Sequence, residues 1–97
     1  MKETRIKGKN LILYHMIRCG GITSWEANKE YGIQRLSARI YDLKAEGLTI
    51  VKETIYTKNR FGWPVHYAKY KLVGDPRDKR ALLKALENYL KERGVKL

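Results

Sequence analysis

The stretch Gly21-Ile-Thr-Ser-Trp-Glu-Ala-Asn-Lys-Glu-Tyr-Gly-Ile-Gln-Arg-Leu-Ser-Ala-Arg-Ile-Tyr-Asp-Leu43 decides the fold. It encodes two helices and the turn between them. Thr23-Ser24-Trp25-Glu26 is a capping box: the Thr23 hydroxyl accepts from the Glu26 backbone N–H, and the Glu26 carboxylate reaches back to the N–H of Thr23. Ile22 supplies the outer half of a hydrophobic staple, with Ala27 as a small partner. The helix so started stops at Gly32, about two turns on. Another begins near Gln34 or Arg35. Its Leu36, Ile40 and Leu43 recur at i, i+4 and i+7, which makes a narrow core stripe, and Gly47 ends it. Ala38, Tyr41, Asp42 and Ala45 lie opposite that stripe. Ser37 and Lys44 flank one side, Arg35 and Arg39 the other.

Upstream, Ile12, Leu13, Met16 and Ile17 give a first helix over about Lys9 to Arg18, ended by Gly20-Gly21. Residues 1–8 read as a flexible basic arm. Downstream the period changes. Residues 49–56 and 65–72 are rich in β-branched and aromatic side chains, and Lys58-Asn-Arg-Phe-Gly-Trp-Pro64 between them carries turn residues. These segments predict a hairpin with a long, basic, aromatic tip. Asp75-Pro76 then opens an amphipathic helix that carries Leu82, Ala85, Leu86, Tyr89 and Leu90 and runs to about Arg93. Helix, short helix, tight turn, helix and hairpin is the order of a winged helix-turn-helix. The expected class is therefore α+β: a basic arm (1–8), a winged helix-turn-helix domain (9–74) and an added C-terminal amphipathic helix (75–97).

A chain of 97 residues suits one domain, and 43% apolar residues suit a globular one. The net charge of +11 is large for this length and calls for a polyanion, nucleic acid before membrane. The excess is concentrated. Residues 1–10 carry four basic and one acidic side chain, and residues 47–74 carry five and one, whereas residues 11–46 are nearly balanced at five and four. Residues 75–97 carry seven and four. The single cysteine, Cys19, forms no intramolecular disulfide, the polar N-terminus has no secretory h-region, and no run reaches the roughly 18 apolar residues of a membrane span. These features predict a cytoplasmic protein. His15, His66 and Cys19 lack metal-ligand spacing, and no nucleophile–base set or phosphate loop emerges. No metal, cofactor, small-molecule substrate or enzyme activity is expected.

The stretch from Gly21 to Leu43 also resembles the small winged helix-turn-helix domains common in bacteriophages and prophages. The shared features are Gly21-Ile22-Thr23, Glu26-Ala27, Tyr31-Gly32-Ile33, Arg35-Leu36-Ser37-Ala38-Arg39-Ile40, Gly47 and Tyr70-Lys71-Leu72. The resemblance covers roughly residues 10–72 and implies the fold and DNA binding. Trp25 stands where the family more often has an aliphatic residue, and the helix after Pro76 lies outside the resemblance. A phage or prophage transcriptional regulator, or an excisionase-like architectural factor, is the expected role. The alternative is a protein-interaction module with weak or no DNA binding.

An α-helix fits the major groove of B-DNA, so the start of the third helix is the expected reader. Arg35 suits guanine, Ser37 several acceptors, Ala38 a thymine methyl, and Gln34 an adenine or the helix cap. Tyr41 and Lys44 are candidates for phosphate, as are Lys58 and Arg60 on the hairpin tip. Arg39, nearer the stripe, is expected to pair with Asp42 or Glu26. If Asp42 and Glu46 instead cancel Arg35 and Lys44, the protein-binding alternative gains. The last helix spans about 27 Å, and Leu82, Leu86, Tyr89 and Leu90 form a stripe that must be covered. Its own domain is one cover and the same helix of a second chain is the other, which predicts a homodimer through these four residues.

Overall fold

The computed structural model describes residues 7–94. The element order is α1 (Gly8–Cys19), β1 (Ile22–Thr23), α2 (Ser24–Tyr31), α3 (Leu36–Ala45), β2 (Thr49–Lys58), β3 (Pro64–Val73) and α4 (Pro76–Glu92). The expected arm over 1–8 lies, for residues 1–6, outside the described residues. Lys7 and Gly8 are already the N-cap and first residue of α1.

The sheet is antiparallel with strand order β1-β3-β2. β2 and β3 pair without interruption from Thr49↔Val73 to Lys58↔Pro64. Ten pairs span about 33 Å at the rise of a strand; β2 runs two residues past its expected end at the turn, and β3 one residue past each end of its expected segment. β1 is unforeseen: Ile22 pairs with Tyr70 and Thr23 with Lys69. This pairing ties the start of α2 to the hairpin.

One core closes the domain. Ile12, Leu13 and Met16 of α1 meet Ile22, Ala27, the Leu36/Ile40/Leu43 stripe of α3, and Ile50 and Leu72 of the sheet. The capping box is present with both reciprocal bonds, Glu26 N to Thr23 Oγ1 at 3.2 Å and Thr23 N to Glu26 Oε1 at 3.0 Å. Burial of the Glu26 carboxyl opposes its ionisation. The Thr23 N–H and hydroxyl and the facing His15 outweigh this and hold its pKa below the usual carboxylate value. His15 is itself buried between α1 and α2. Its Nδ1 lies 2.8 Å from the Tyr31 hydroxyl and its Nε2 3.6 Å from Glu26 Oε2. Burial pushes the Tyr31 phenol up to about 12.

α4 begins as expected: Asp75 caps it, accepting from the Arg77 N–H at 2.7 Å, and Pro76 is its first residue. Its apolar stripe finds one of the two expected covers inside the chain. Leu86 belongs to the common core with Leu82 packed against it, and Leu90 is buried. Tyr89 takes the Lys7 backbone N–H on its hydroxyl at 3.2 Å, and the Arg93 guanidinium stands 3.7 Å from its ring centroid. That cover is α1, alongside which α4 folds back, and Leu82, Leu83 and Tyr89 stay half-buried. Among the described residues, no helix is long and apolar enough to cross a membrane.

Two outcomes follow from this packing. Leu86→Ala should lower stability by about 2–5 kcal/mol, with an unfolding midpoint independent of protein concentration. A midpoint that climbs with concentration would place Leu86 between chains. Glu26→Gln should destabilise most at neutral pH. The pKa of Glu26 is depressed on folding, so its contribution is present above the unfolded value near 4.5 and is lost as pH falls through the lower folded value. Melting curves of both proteins across that range should converge in acid. A gap that stays constant with pH would refute the assignment.

Candidate nucleic-acid interface

The turn into α3 is built by Gly32. Its φ of +68° is open to glycine and strained for other residues, and it lets the Gly32 and Ile33 N–H groups turn back onto the Asn28 and Ala27 carbonyls at 2.8 and 3.1 Å. Ile33 then packs on the core, which fixes the angle at which α3 leaves.

α3 starts later than expected. Arg35 is its N-cap, with a non-helical φ of −115° and ψ of 68°, and Gln34 lies in the turn before it. Neither is a helical residue, but both are exposed beside the helix start. Because Leu36, Ile40 and Leu43 are buried, the remaining positions face outward. Ser37, Tyr41 and Lys44 are spaced i, i+4 and i+7 along one exposed ridge, with Ala38 half-buried next to it. Tyr41 is 73% exposed, which excludes a packing role within the chain.

The two acidic side chains near this ridge are committed elsewhere. Asp42 Oδ2 lies 3.2 Å from Arg39 Nε, and Glu46 Oε2 lies 2.7 Å from Lys9 Nζ. The Arg39 contact runs within α3 and does not brace α2. Glu26, the other expected partner, is held by Thr23 and faces His15. The cations at the two ends of the ridge, Arg35 and Lys44, are thus left to the solvent side, which is the arrangement that favours a polyanion over a protein partner.

The hairpin presents the other candidates. Lys58 and Arg60 are exposed at its end. From Thr54 to Gly74 the sequence has four Lys or Arg side chains and no Asp or Glu. The core face of the hairpin is set by Ile50 and Leu72. Continuing outward by twos, the same face carries Lys52/Tyr70, Thr54/Ala68, Tyr56/His66 and Lys58/Pro64. Tyr56 is 80% exposed, with the His66 ring 6.0 Å away. Sequence reasoning missed Tyr56, although its alternation with Ile50 lay wholly within the expected strand over 49–56. Trp25, also exposed, has Lys29 Nζ 4.6 Å from its ring and lines a shallow groove with Tyr67 and Lys69. His15 and Cys19, four residues apart on α1, do not converge: His15 is buried toward Tyr31 and Cys19 is exposed. Among the described residues, no three His, Cys, Asp or Glu side chains are grouped to hold a metal ion.

The geometry is that of a helix held edge-on by its own buried stripe, beside a long cationic hairpin. Comparison with known proteins agrees with it. A family model described as a winged helix-turn-helix domain matches residues 8–74, from the first residue of α1 to the end of the hairpin. No curated protein matches the chain, and no solved structure does. The match covers well over half of the chain and every element except α4, and the protein therefore belongs to the winged helix-turn-helix family.

Proposed function

We propose that the protein binds double-stranded DNA sequence-specifically, without catalysis, in the cytoplasm, as a transcriptional regulator or excisionase-like architectural factor of phage or prophage type. The observation that carries this reading is the division of charge around α3. Asp42 and Glu46 pair with Arg39 and Lys9, so Arg35 and Lys44 keep their positive charge on the outward ridge. Ridge, turn and hairpin then divide the work. Arg35, Ser37 and Ala38 at the start of α3 meet base edges, with Gln34 beside them. Tyr41 and Lys44, further along, meet phosphate, and Lys58 and Arg60 hold the flanking backbone. One observation favours a second reading: Trp25 and Tyr67 line a common groove on a surface that does not need them for folding, which suits a protein partner.

Binding to duplex DNA should weaken as salt rises, each phosphate contact contributing about 0.9 to the slope of log affinity against log salt concentration. Fluorescence anisotropy of a labelled duplex across a salt series measures this. A flat dependence, or no binding at low salt, would leave the protein-partner reading. Once a preferred site has been selected in vitro, Arg35→Ala should cost about 1–3 kcal/mol on that site and less on mixed-sequence DNA. Lys58→Ala and Arg60→Ala should weaken both nearly equally. Equal losses on both DNAs for Arg35→Ala would remove it as a base reader.

A further inference from the structure

The hairpin tip carries two large rings with no packing role. Phe61 is 77% exposed and Trp63 69%, so Trp63 is not sheltered by the neighbouring Pro64. Surface aromatics of this size, side by side, are unfavourable in water unless something covers them. The tip is nonetheless a well-defined structure. Asn59 Oδ1 accepts the backbone N–H of Phe61 at 2.9 Å and that of Trp63 at 3.1 Å. The Asn59 N–H donates to the Trp63 carbonyl at 2.9 Å, and the Gly62 N–H donates to the Asn59 carbonyl at 2.9 Å. Gly62, at φ +82°, makes the reversal possible. One asparagine thus fixes the backbone at both aromatic positions.

We propose that Phe61 and Trp63 form a wedge that enters between stacked base pairs of duplex DNA and bends it. The inference rests on the duplex-binding reading and adds a distinct activity to it. Charge identifies the occupant. Lys58 and Arg60 flank the rings, the Arg60 guanidinium lies 5.7 Å from the Phe61 ring centroid, and the hairpin has no acidic side chain beyond Glu53. An apolar protein partner would have to meet those cations. The minor groove offers phosphates at its rim for the cations and base faces within for the rings. The long pairing of β2 with β3 gives the tip its reach, carrying the last pair, Lys58 and Pro64, about 26 Å beyond the last core pair, Ile50 and Leu72. A wedge unstacks one step and opens the minor groove, so the bend is directed toward the major groove, the side where α3 lies. Pyrimidine–purine steps unstack most readily and are the expected sites of entry.

The test uses ligase-catalysed ring closure of a duplex of about 150 base pairs, near the persistence length of DNA, with one central TA step. Saturation with the wild-type protein should raise the rate of ring closure about tenfold, because a bend brings the ends together. The Phe61→Ala/Trp63→Ala double variant should still bind, with affinity lowered about tenfold, and should leave the duplex straight at saturation. In a Trp25→Phe background, the remaining indole at position 63 should lose emission and accessibility to acrylamide when duplex is added. A wild-type protein that binds without speeding ring closure overturns the wedge while leaving DNA binding intact. So does a double variant that bends as well as the wild type, or an indole that stays open to acrylamide in the complex. Absence of any duplex binding overturns both readings.

Discussion

Burial of Leu36, Ile40 and Leu43 on one side of α3 is the constraint on which the rest of the molecule depends. Three side chains at i, i+4 and i+7 define a stripe barely wider than one ridge, so a single rotation of the helix satisfies them. Ile12 and Met16 of α1 and Ile50 and Leu72 of the sheet close over that stripe. Everything exposed on α3 follows from this choice, including the ridge Ser37, Tyr41 and Lys44. The turn at Gly32 and the β1–β3 pairing work to the same end, because they fix where α3 begins and how α2 crosses it.

Electrostatics acts on this frame by where the acids go rather than by the number of bases. Close ion pairs occupy Asp42 with Arg39 and Glu46 with Lys9, while Glu53 is taken by Lys71 at 3.0 Å. Exposed pairs of this kind stabilise the fold by little, of order 0–1 kcal/mol. Their larger consequence is to the surface: they occupy the acids nearest α3 and leave Arg35, Lys44, Lys58 and Arg60 without a close ion-pair partner among the described residues.

Much of this was legible in the sequence because the signals were local. The capping box at Thr23 and Glu26, the stop at Gly32, the α3 stripe and the Asp75-Pro76 start each depend on residues within a turn or two, and each appears as read. The failures are non-local. β1 is two residues long, too short for alternation, and exists only because Tyr70 and Lys69 of a distant strand pair with it. Arg39 chose the acid one turn away over the one on the neighbouring helix, a matter of side-chain reach that spacing does not specify. The stripe on α4 was correctly seen as needing a cover, and its packing against α1 is one that the sequence pattern alone does not specify. Tyr56 escaped notice because its exposure depends on where the core stops along its face, which is set by Ile50, six residues away on the same strand, and by what packs over it.

The proposed DNA-facing surface is one ridge of α3 together with the end of the hairpin. The most direct test is to titrate an isotope-labelled sample of the whole chain with a short duplex and follow the backbone amide resonances. The account predicts that the shifts concentrate at residues 34–38, at Tyr41 and Lys44, and at residues 58–63, with α4 and the core positions of α1 unmoved. Shifts confined to α4 or to the Trp25–Tyr67 groove, or none at low salt, would contradict it.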